Sequence, residues 1–166
     1  MDPADWLHLA DGETVVWESR PHPITMGVGL PAGIFLTLAG LVVFGWATVN
    51  TDSRALQVLS LLAVLVGGAI ATIQYVYWTN TRYVITSSEL YKKRGVISRD
   101  VTQFRLDRVQ NTTLEQSVIG RFLGYGTITV YTAGSGDPEL TFERTPRPGE
   151  AGGILNEQLE GAATAL

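Results

Sequence analysis

The sequence predicts a two-helix transmembrane hairpin followed by a mainly β domain that ends in a single α-helix. Three observations predict it. Two uncharged apolar runs, Ile24–Val49 and Ala55–Trp78, stand five residues apart. After Trp78 the hydrophobic period becomes 2, the spacing of half-buried strands. The last segment, Glu150–Ala163, returns to helical spacing with Ile154, Leu155 and Leu159 on one face.

The leader, residues 1–23, carries Glu13-Thr14-Val15-Val16-Trp17-Glu18, an alternating run suited to an edge strand. Arg20-Pro21-His22-Pro23 follows, held extended by its prolines. His22 is expected to mark the membrane interface without a partner of its own. The first apolar run begins after an acidic leader, which does not fit a cleaved signal peptide, whose first residues are basic.

The hairpin is assigned to residues 24–78, with spans 24–49 and 55–78. A spanning helix needs roughly 20 apolar residues to cross a hydrocarbon core of about 30 Å. Both runs exceed that length and contain no Asp, Glu, Lys, Arg or His. Backbone in lipid must satisfy its own hydrogen bonds, which makes both runs helices. Core helices of a small soluble protein would show a charged face, and these show none. The linker Asn50-Thr51-Asp52-Ser53-Arg54 is too short for anything but a hairpin turn.

Small residues set the expected packing seams. Gly29 and Gly33 form a G-x-x-x-G pair, and Ala63, Gly67 and Ala71 recur every four residues. Such spacing lets helix backbones approach closely in lipid. The hairpin packing on itself is the simplest use of these seams; homo-oligomerisation through one of them is the sharper alternative. Trp46 near one end and Tyr75, Tyr77 and Trp78 near the other suit aromatic interface belts. Gln74 is the one strongly polar side chain deep in a span. Transport paths need intramembrane ionisable groups, and their absence argues against a pore or pump.

Residues 79–166 are assigned to the β domain. Arg82–Thr86, Leu90–Arg94, Val101–Leu106, Thr127–Tyr131 and Leu140–Phe142 read as short strands. Ser87-Ser88, Gly95 and Gly134-Ser135-Gly136-Asp137 mark turns.

The net charge of −4 conceals segregation. The leader has five acids against Arg20; Arg82–Arg121 holds eight basic and four acidic residues; Phe122–Leu166 holds two basic and six acidic. Lys and Arg beside a span stay in the cytoplasm, so both termini are expected there, on a multi-pass cell-membrane protein with two spans. Arg54 in the turn counts weakly against that orientation.

Catalytic patterns are missing. There is no Ser/His/Asp order, no H-E-x-x-H, no phosphate-cradling glycine loop and no carboxylate cluster at metal spacing, so no enzyme, cofactor or metal is expected. Without Cys there is no disulfide or thiolate chemistry, and the only His are His8 and His22. Asp107 beside Arg108 is expected to form a strand-end ion pair. The acidic balance, with no aromatics interleaved among the basic residues, argues against nucleic acid as a partner.

The order of several short words carries a resemblance. Arg82-Tyr83-Val84-Ile85-Thr86, Arg94-Gly95-Val96-Ile97, Arg108-Val109-Gln110-Asn111, Leu114-Glu115-Gln116-Ser117, Gly120-Arg121-Phe122-Leu123-Gly124-Tyr125-Gly126-Thr127 and Tyr131-Thr132-Ala133-Gly134 follow one another. The sequence thereby resembles the YdbS-like bacterial pleckstrin-homology (PH) domain family. Members of that family commonly place a leader similar to Gly12-Glu13…Trp17…Arg20-Pro21-His22-Pro23 and a two-helix hairpin ahead of the domain. The resemblance implies a PH-like barrel of two bent antiparallel sheets, plugged at one open corner by the C-terminal helix. In that frame Phe122 and Leu123 are expected to fill the barrel end. Eukaryotic PH domains that hold phosphoinositides use basic residues in the first hairpin loop. Here Ser87-Ser88-Glu89 is short and acidic, which argues against that route.

One candidate surface remains, the basic residues Arg82, Lys92, Lys93, Arg94 and Arg99, with Arg105 and Arg108 behind them. Near an anionic bilayer each contributes about 1 kcal/mol of attraction. Equally, they serve as topogenic and solvated strand charge. Alternation places Lys92 and Arg94 opposite Lys93, which splits the patch. Two functions are expected from different classes. The first is a non-enzymatic anchored module presenting its domain to a protein partner in the envelope. The second is recognition of anionic membrane-lipid headgroups by the basic strands.

Overall fold

The computed structural model describes residues 6–7, 9–10, 12–96, 100–132 and 138–164. His8, Arg99 and the expected turn at 134–137 lie outside the described residues. The chain divides into two compact units, residues 24–78 and the described residues of 1–23 together with 79–166.

The first unit is a helical hairpin, α1 (Gly29–Asn50) and α2 (Arg54–Thr79). α1 starts later than the apolar run. A 3-10 turn at Pro23–Met26 comes first, and Gly27 follows it at φ +57°, a left-handed conformation that glycine adopts without strain. Pro31 sits in the first turn of α1, where its missing N–H leaves no bond unmade. At the far end the Thr51 N–H donates to the Ala47 carbonyl, and the Ser53 hydroxyl accepts from the Leu56 N–H, so the five-residue turn caps both helices. Both helices are long and apolar enough to cross a membrane. Only 17% and 11% of their apolar windows are buried, whereas the core helix of a soluble protein would be mostly covered.

The helices touch backbone to backbone. A Cβ added at Gly33 would stand 2.8 Å from the Ala71 nitrogen and the Gly67 oxygen. One at Gly67 would stand 2.6 Å from the Gly33 oxygen and 2.7 Å from the Thr37 nitrogen. Gly40 meets Ser60 and Val64 in the same way, and Gly29 lies against the Gln74 side chain. Thr37 satisfies its hydroxyl on the Gly33 carbonyl at 2.8 Å. Ala63 is half-buried on α2.

The second unit is built from two antiparallel sheets. One has the order β1 (Val15–Ser19), β2 (Arg82–Thr86), β3 (Glu89–Arg94), β4 (Asp100–Arg105). The other has the order β5 (Val109–Glu115), β6 (Tyr125–Thr132), β7 (Leu140–Pro146). A 3-10 turn, Leu106–Arg108, passes the chain from one sheet to the other. Two helices complete the unit, α3 (Val118–Leu123) and α4 (Pro148–Thr164). The fold class is the one expected, except that the two sheets stay separate instead of closing into one barrel.

The core is shared by both sheets and α4: Tyr83, Ile85, Leu90, Leu106, Ile128, Val130, Phe142 and Leu155 are all buried. Central β2 is buried from Tyr83 to Thr86, and β1 and β3 pair both of its edges. Tyr83 stacks on Phe142 at 4.7 Å between ring centroids and donates its hydroxyl to the Glu143 carbonyl.

Four expectations need correction. β5 was not foreseen as a strand: its run Val-Gln-Asn-Thr-Thr-Leu-Glu has few apolar residues, and a bulge between Val109 and Asn111 breaks the alternation. Asp107 pairs with Arg105, not Arg108, since the 3-10 turn folds its carboxylate back toward β4. His22 does have partners: its N–H donates to the Arg144 carbonyl at 2.7 Å, and its ring lies 5.2 Å from the Tyr125 ring. Phe122 and Leu123 do not fill a barrel end. They belong to α3, whose outer face leaves Phe122 89% exposed.

The close helix contact generates a prediction. Gly67→Val in the full chain forces the Gly33 and Thr37 backbones away and lowers hairpin stability by about 1–3 kcal/mol, the usual overpacking penalty. Gly68→Val meets nothing within 4 Å and leaves stability unchanged. Denaturant titration of the two variants in detergent checks the difference.

Candidate functional site

The basic residues of the β domain were the expected binding surface, and strand register decides where each goes. Lys92 and Arg94 share the face of β3 that sends Leu90 into the core. A cation on an inward face must be neutralised, or its desolvation goes uncompensated. Glu143 of β7 supplies the charge: its carboxylate lies 3.9 Å from Lys92 Nζ and 3.8 Å from Arg94 Nη2. Lys92 also donates to the Thr141 carbonyl at 2.6 Å and stands 6.0 Å from the Tyr83 ring centroid.

The remaining cations are dispersed. Arg82 is ion-paired with Glu18 across β1 and β2. Lys93, on the other face of β3, reaches 5.2 Å from the Trp6 ring centroid. Arg105 makes a two-point bond to Asp107, with Nη2 to Oδ2 at 2.7 Å. It sits opposite Glu89, whereas Arg94 sits opposite Asp100 at the other end of the β3–β4 ladder. Arg108 is exposed on the 3-10 turn. Register therefore brings Lys92 and Arg94 together with Glu143 and leaves the other described cations apart.

A shallow groove runs beside that trio, lined by Lys92, Arg94, Asp100, Thr102, Glu139, Leu140 and Thr141. Its volume of about 180 Å³ falls below the roughly 300–1,000 Å³ of small-molecule pockets. Two carboxylates face its two cations, so it holds no surplus positive charge for a phosphate. Among the described residues no three His, Asp or Glu come together as metal ligands.

The turn between β2 and β3 is acidic. The Thr86 hydroxyl bonds the Glu13 carboxylate and accepts from the Glu89 N–H at 2.8 Å. Tyr91 and Gln103 both donate to the Glu89 carboxylate. Burial, then that hydrogen bond and the Glu13 and Glu89 charges, push the Tyr91 phenol far above its ordinary 10.0.

Sequence reasoning missed Glu18 and Glu143 as partners of the basic strands. Glu143 lies some fifty residues from Lys92 and no local pattern joins them. The alternation Leu90, Lys92, Arg94 was the available signal, since it placed charge on a core-facing edge that some acid had to meet.

A family model described as bacterial PH domain matches residues 32–159, which include most of α1, all of α2 and the domain through most of α4. Among solved structures the chain is similar to the crystal structure of a DUF1696 family protein with a pleckstrin-homology domain from Shewanella loihica PV-4. That similarity has 18% identity and a TM-score of 0.37, over 49% of this chain and 68% of the other. A search of curated proteins found no match.

Two pH predictions come from this geometry. Burial holds Lys92 below the ordinary lysine value of 10.5, opposed by the Glu143 carboxylate. Glu143→Gln removes the opposing charge, so Lys92 is expected to titrate lower still. Carbon-13 NMR of the reductively methylated chain, which has only two lysines, checks it once Lys92→Arg assigns the resonance.

Burial, aided by Glu143, pushes Tyr83 up to about 12 from 10.0. Above pH 10 the unfolded chain loses this proton before the folded one does, so stability is intact below pH 10 and falls as pH rises through 12. Tyr83→Phe is expected to be less stable at neutral pH by about 1 kcal/mol, for the lost hydrogen bond to Glu143. It should also show a shallower alkaline decline in thermal melts.

Proposed function

Because the chain belongs to the bacterial PH domain family, we propose that it is a non-enzymatic, membrane-anchored interaction module of the YdbS-like kind. It holds its PH-like domain at the cytoplasmic face of the cell membrane and presents it to a protein partner in the envelope. The state of the basic strands is the observation that carries this reading. Arg82, Lys92, Arg94 and Arg105 are each within ion-pair distance of a carboxylate of their own domain. The groove beside Lys92 and Arg94 is charge-balanced. Recognition of anionic headgroups by these strands is correspondingly less supported.

The topology has a physical argument. Ser19 pairs with Tyr83 in one sheet, so the chain leaves the domain before α1 and returns to it after α2. Spanning helices between two paired strands must be even in number, and both flanks lie on one side. The Lys and Arg after the second span support the cytoplasm as that side.

Strand β4 is the surface offered to the partner. It pairs with β3 alone among the described strands, is exposed along five of its six residues, and carries Val101 38% exposed. An open edge of that kind accepts an added strand from another chain.

Site-specific photocrosslinking in native membranes tests the reading. A benzophenone side chain in place of Val101 or Gln103 on β4 is expected to yield a discrete adduct with another protein. The same group in place of Glu157 on α4 serves as the comparison. Adducts with lipid alone, or none, at both β4 positions would refute the protein-partner reading.

A further inference from the structure

The helix α3 puts apolar side chains in water, and the fold holds them there. Val118 is 88%, Ile119 63% and Phe122 89% exposed, and Leu123 is exposed beside them. Four apolar residues within a six-residue helix form a contiguous patch of the kind that marks an interaction site.

Collapse of this patch onto the domain is prevented at both ends. The Ser117 hydroxyl caps the helix by accepting from the Gly120 N–H at 3.0 Å. Gly124, at φ +75°, terminates it in the left-handed conformation glycine favours, and its carbonyl accepts from the Arg147 N–H. The inner face is equally committed. A Cβ at Gly120 would stand 2.6 Å from the Tyr125 carbonyl, which also accepts from Gln116 at 3.1 Å. α3 is thus clamped by the one side on which it is small, and its large apolar side chains point away.

Its place in the chain identifies what covers it. Tyr125, two residues after α3, packs its ring on His22, and His22 is further bound to the Arg144 carbonyl. His22 stands seven residues before Gly29, the start of α1, a stretch that spans at most about 25 Å when fully extended. Tyr125, beside α3, is therefore joined through His22 to a tether no longer than about 25 Å that leads into α1. Arg121, exposed on the same helix, is suited to lipid phosphate while its neighbours enter the acyl boundary.

We propose that α3 is a membrane-contact wedge: Val118, Ile119, Phe122 and Leu123 insert into the interfacial region of the bilayer and fix the orientation of the domain. This rests on the reading of α1 and α2 as membrane spans. It differs from headgroup recognition by the basic strands, because the contact is apolar and on a different element.

The chain has no cysteine, so single cysteines report without interference. The full chain is labelled with an environment-sensitive nitrobenzoxadiazole dye at Phe122→Cys or Val118→Cys. Both positions are exposed, so neither substitution removes packing from the domain. Leu38→Cys in α1 and Glu157→Cys on exposed α4 serve as references. Each protein is reconstituted into phosphatidylcholine–phosphatidylglycerol vesicles with or without lipid carrying an acyl-chain nitroxide, shallow for positions 118, 122 and 157 and deep for the mid-helix position 38.

Blue-shifted emission with nitroxide quenching at 118 and 122, and neither at 157, is the expected result. Water-like, unquenched emission at 118 and 122 beside a quenched Leu38→Cys would overturn the wedge and leave the spanning hairpin intact. Blue-shifted emission without quenching would overturn it too, because protein, such as a second copy, would then cover the patch. An unquenched Leu38→Cys would overturn the spanning hairpin itself, and the wedge with it.

Discussion

The pairing of β1 with β2 is the contact on which the rest of the second unit depends. Its partners, such as Ser19 and Tyr83, are 64 residues apart, with both apolar helices between them. Closing so long a loop is entropically unfavourable in a flexible chain, by an amount that grows with the logarithm of its length. A helical hairpin removes most of that penalty. Helices of 22 and 26 residues that run out and back return the chain close to where it left. Once β1 is seated, β2 becomes a central strand with both edges paired, and its Tyr83 and Ile85 lie in the core. A fragment beginning at Thr79 would lack β1 and leave β2 as an open edge. The leader is a structural part of the domain, although the apolar helical hairpin divides them in sequence.

Charge follows the same logic of distant segments brought together. Along the sequence the acidic leader, the basic strands and the acidic C-terminal part look like separate blocks. In the fold the blocks meet: Glu18 of the leader pairs with Arg82, and Glu143 of β7 serves Lys92 and Arg94. Exposed pairs such as Arg82–Glu18 contribute little to stability, typically under about 1 kcal/mol. Their larger effect is on the field outside, because cations balanced by their own domain attract an anionic surface less than their number suggests. Lys92 is the exception in kind. Its ammonium is largely withdrawn from water and bonded to the Thr141 carbonyl, so it acts as a structural rivet between the two sheets.

What was legible in the sequence was whatever rests on a regular period. The apolar runs, β2, β3, β4 and β6, and the C-terminal helix all announced themselves by spacing, and the helix bounds moved by more than two residues only at the start of α1, where the turn ending at Gly27 intervenes. β5 was illegible because a bulge resets its alternation and Thr fills positions an apolar residue would have marked. The split of Lys92 and Arg94 from Lys93 followed from alternation, but their neutralisation by Glu143 did not, since ladder partners of another sheet leave no trace in local sequence. Phe122 and Leu123 show the limit most clearly. Large apolar residues between glycines read as core, and only the clamped inner face of α3, set by Gly120 against Tyr125, reveals that they face outward.

That reversal bears on how the proposed anchored module would work. In the proposed arrangement two short tethers, one before α1 and one after α2, would hold the domain near the membrane without by themselves choosing which face it shows. The proposed third contact, through α3, would remove the remaining rotation. Of the edge strands, β4 has its first residues opposite the Arg94 end of β3, far in sequence from the His22–Tyr125 anchor. Under that proposal an edge held in a constant attitude would meet a membrane-bound partner at high effective concentration, and binding could be weak per contact yet well occupied. Orientation, rather than a deep pocket or a dense charge patch, is what this architecture supplies.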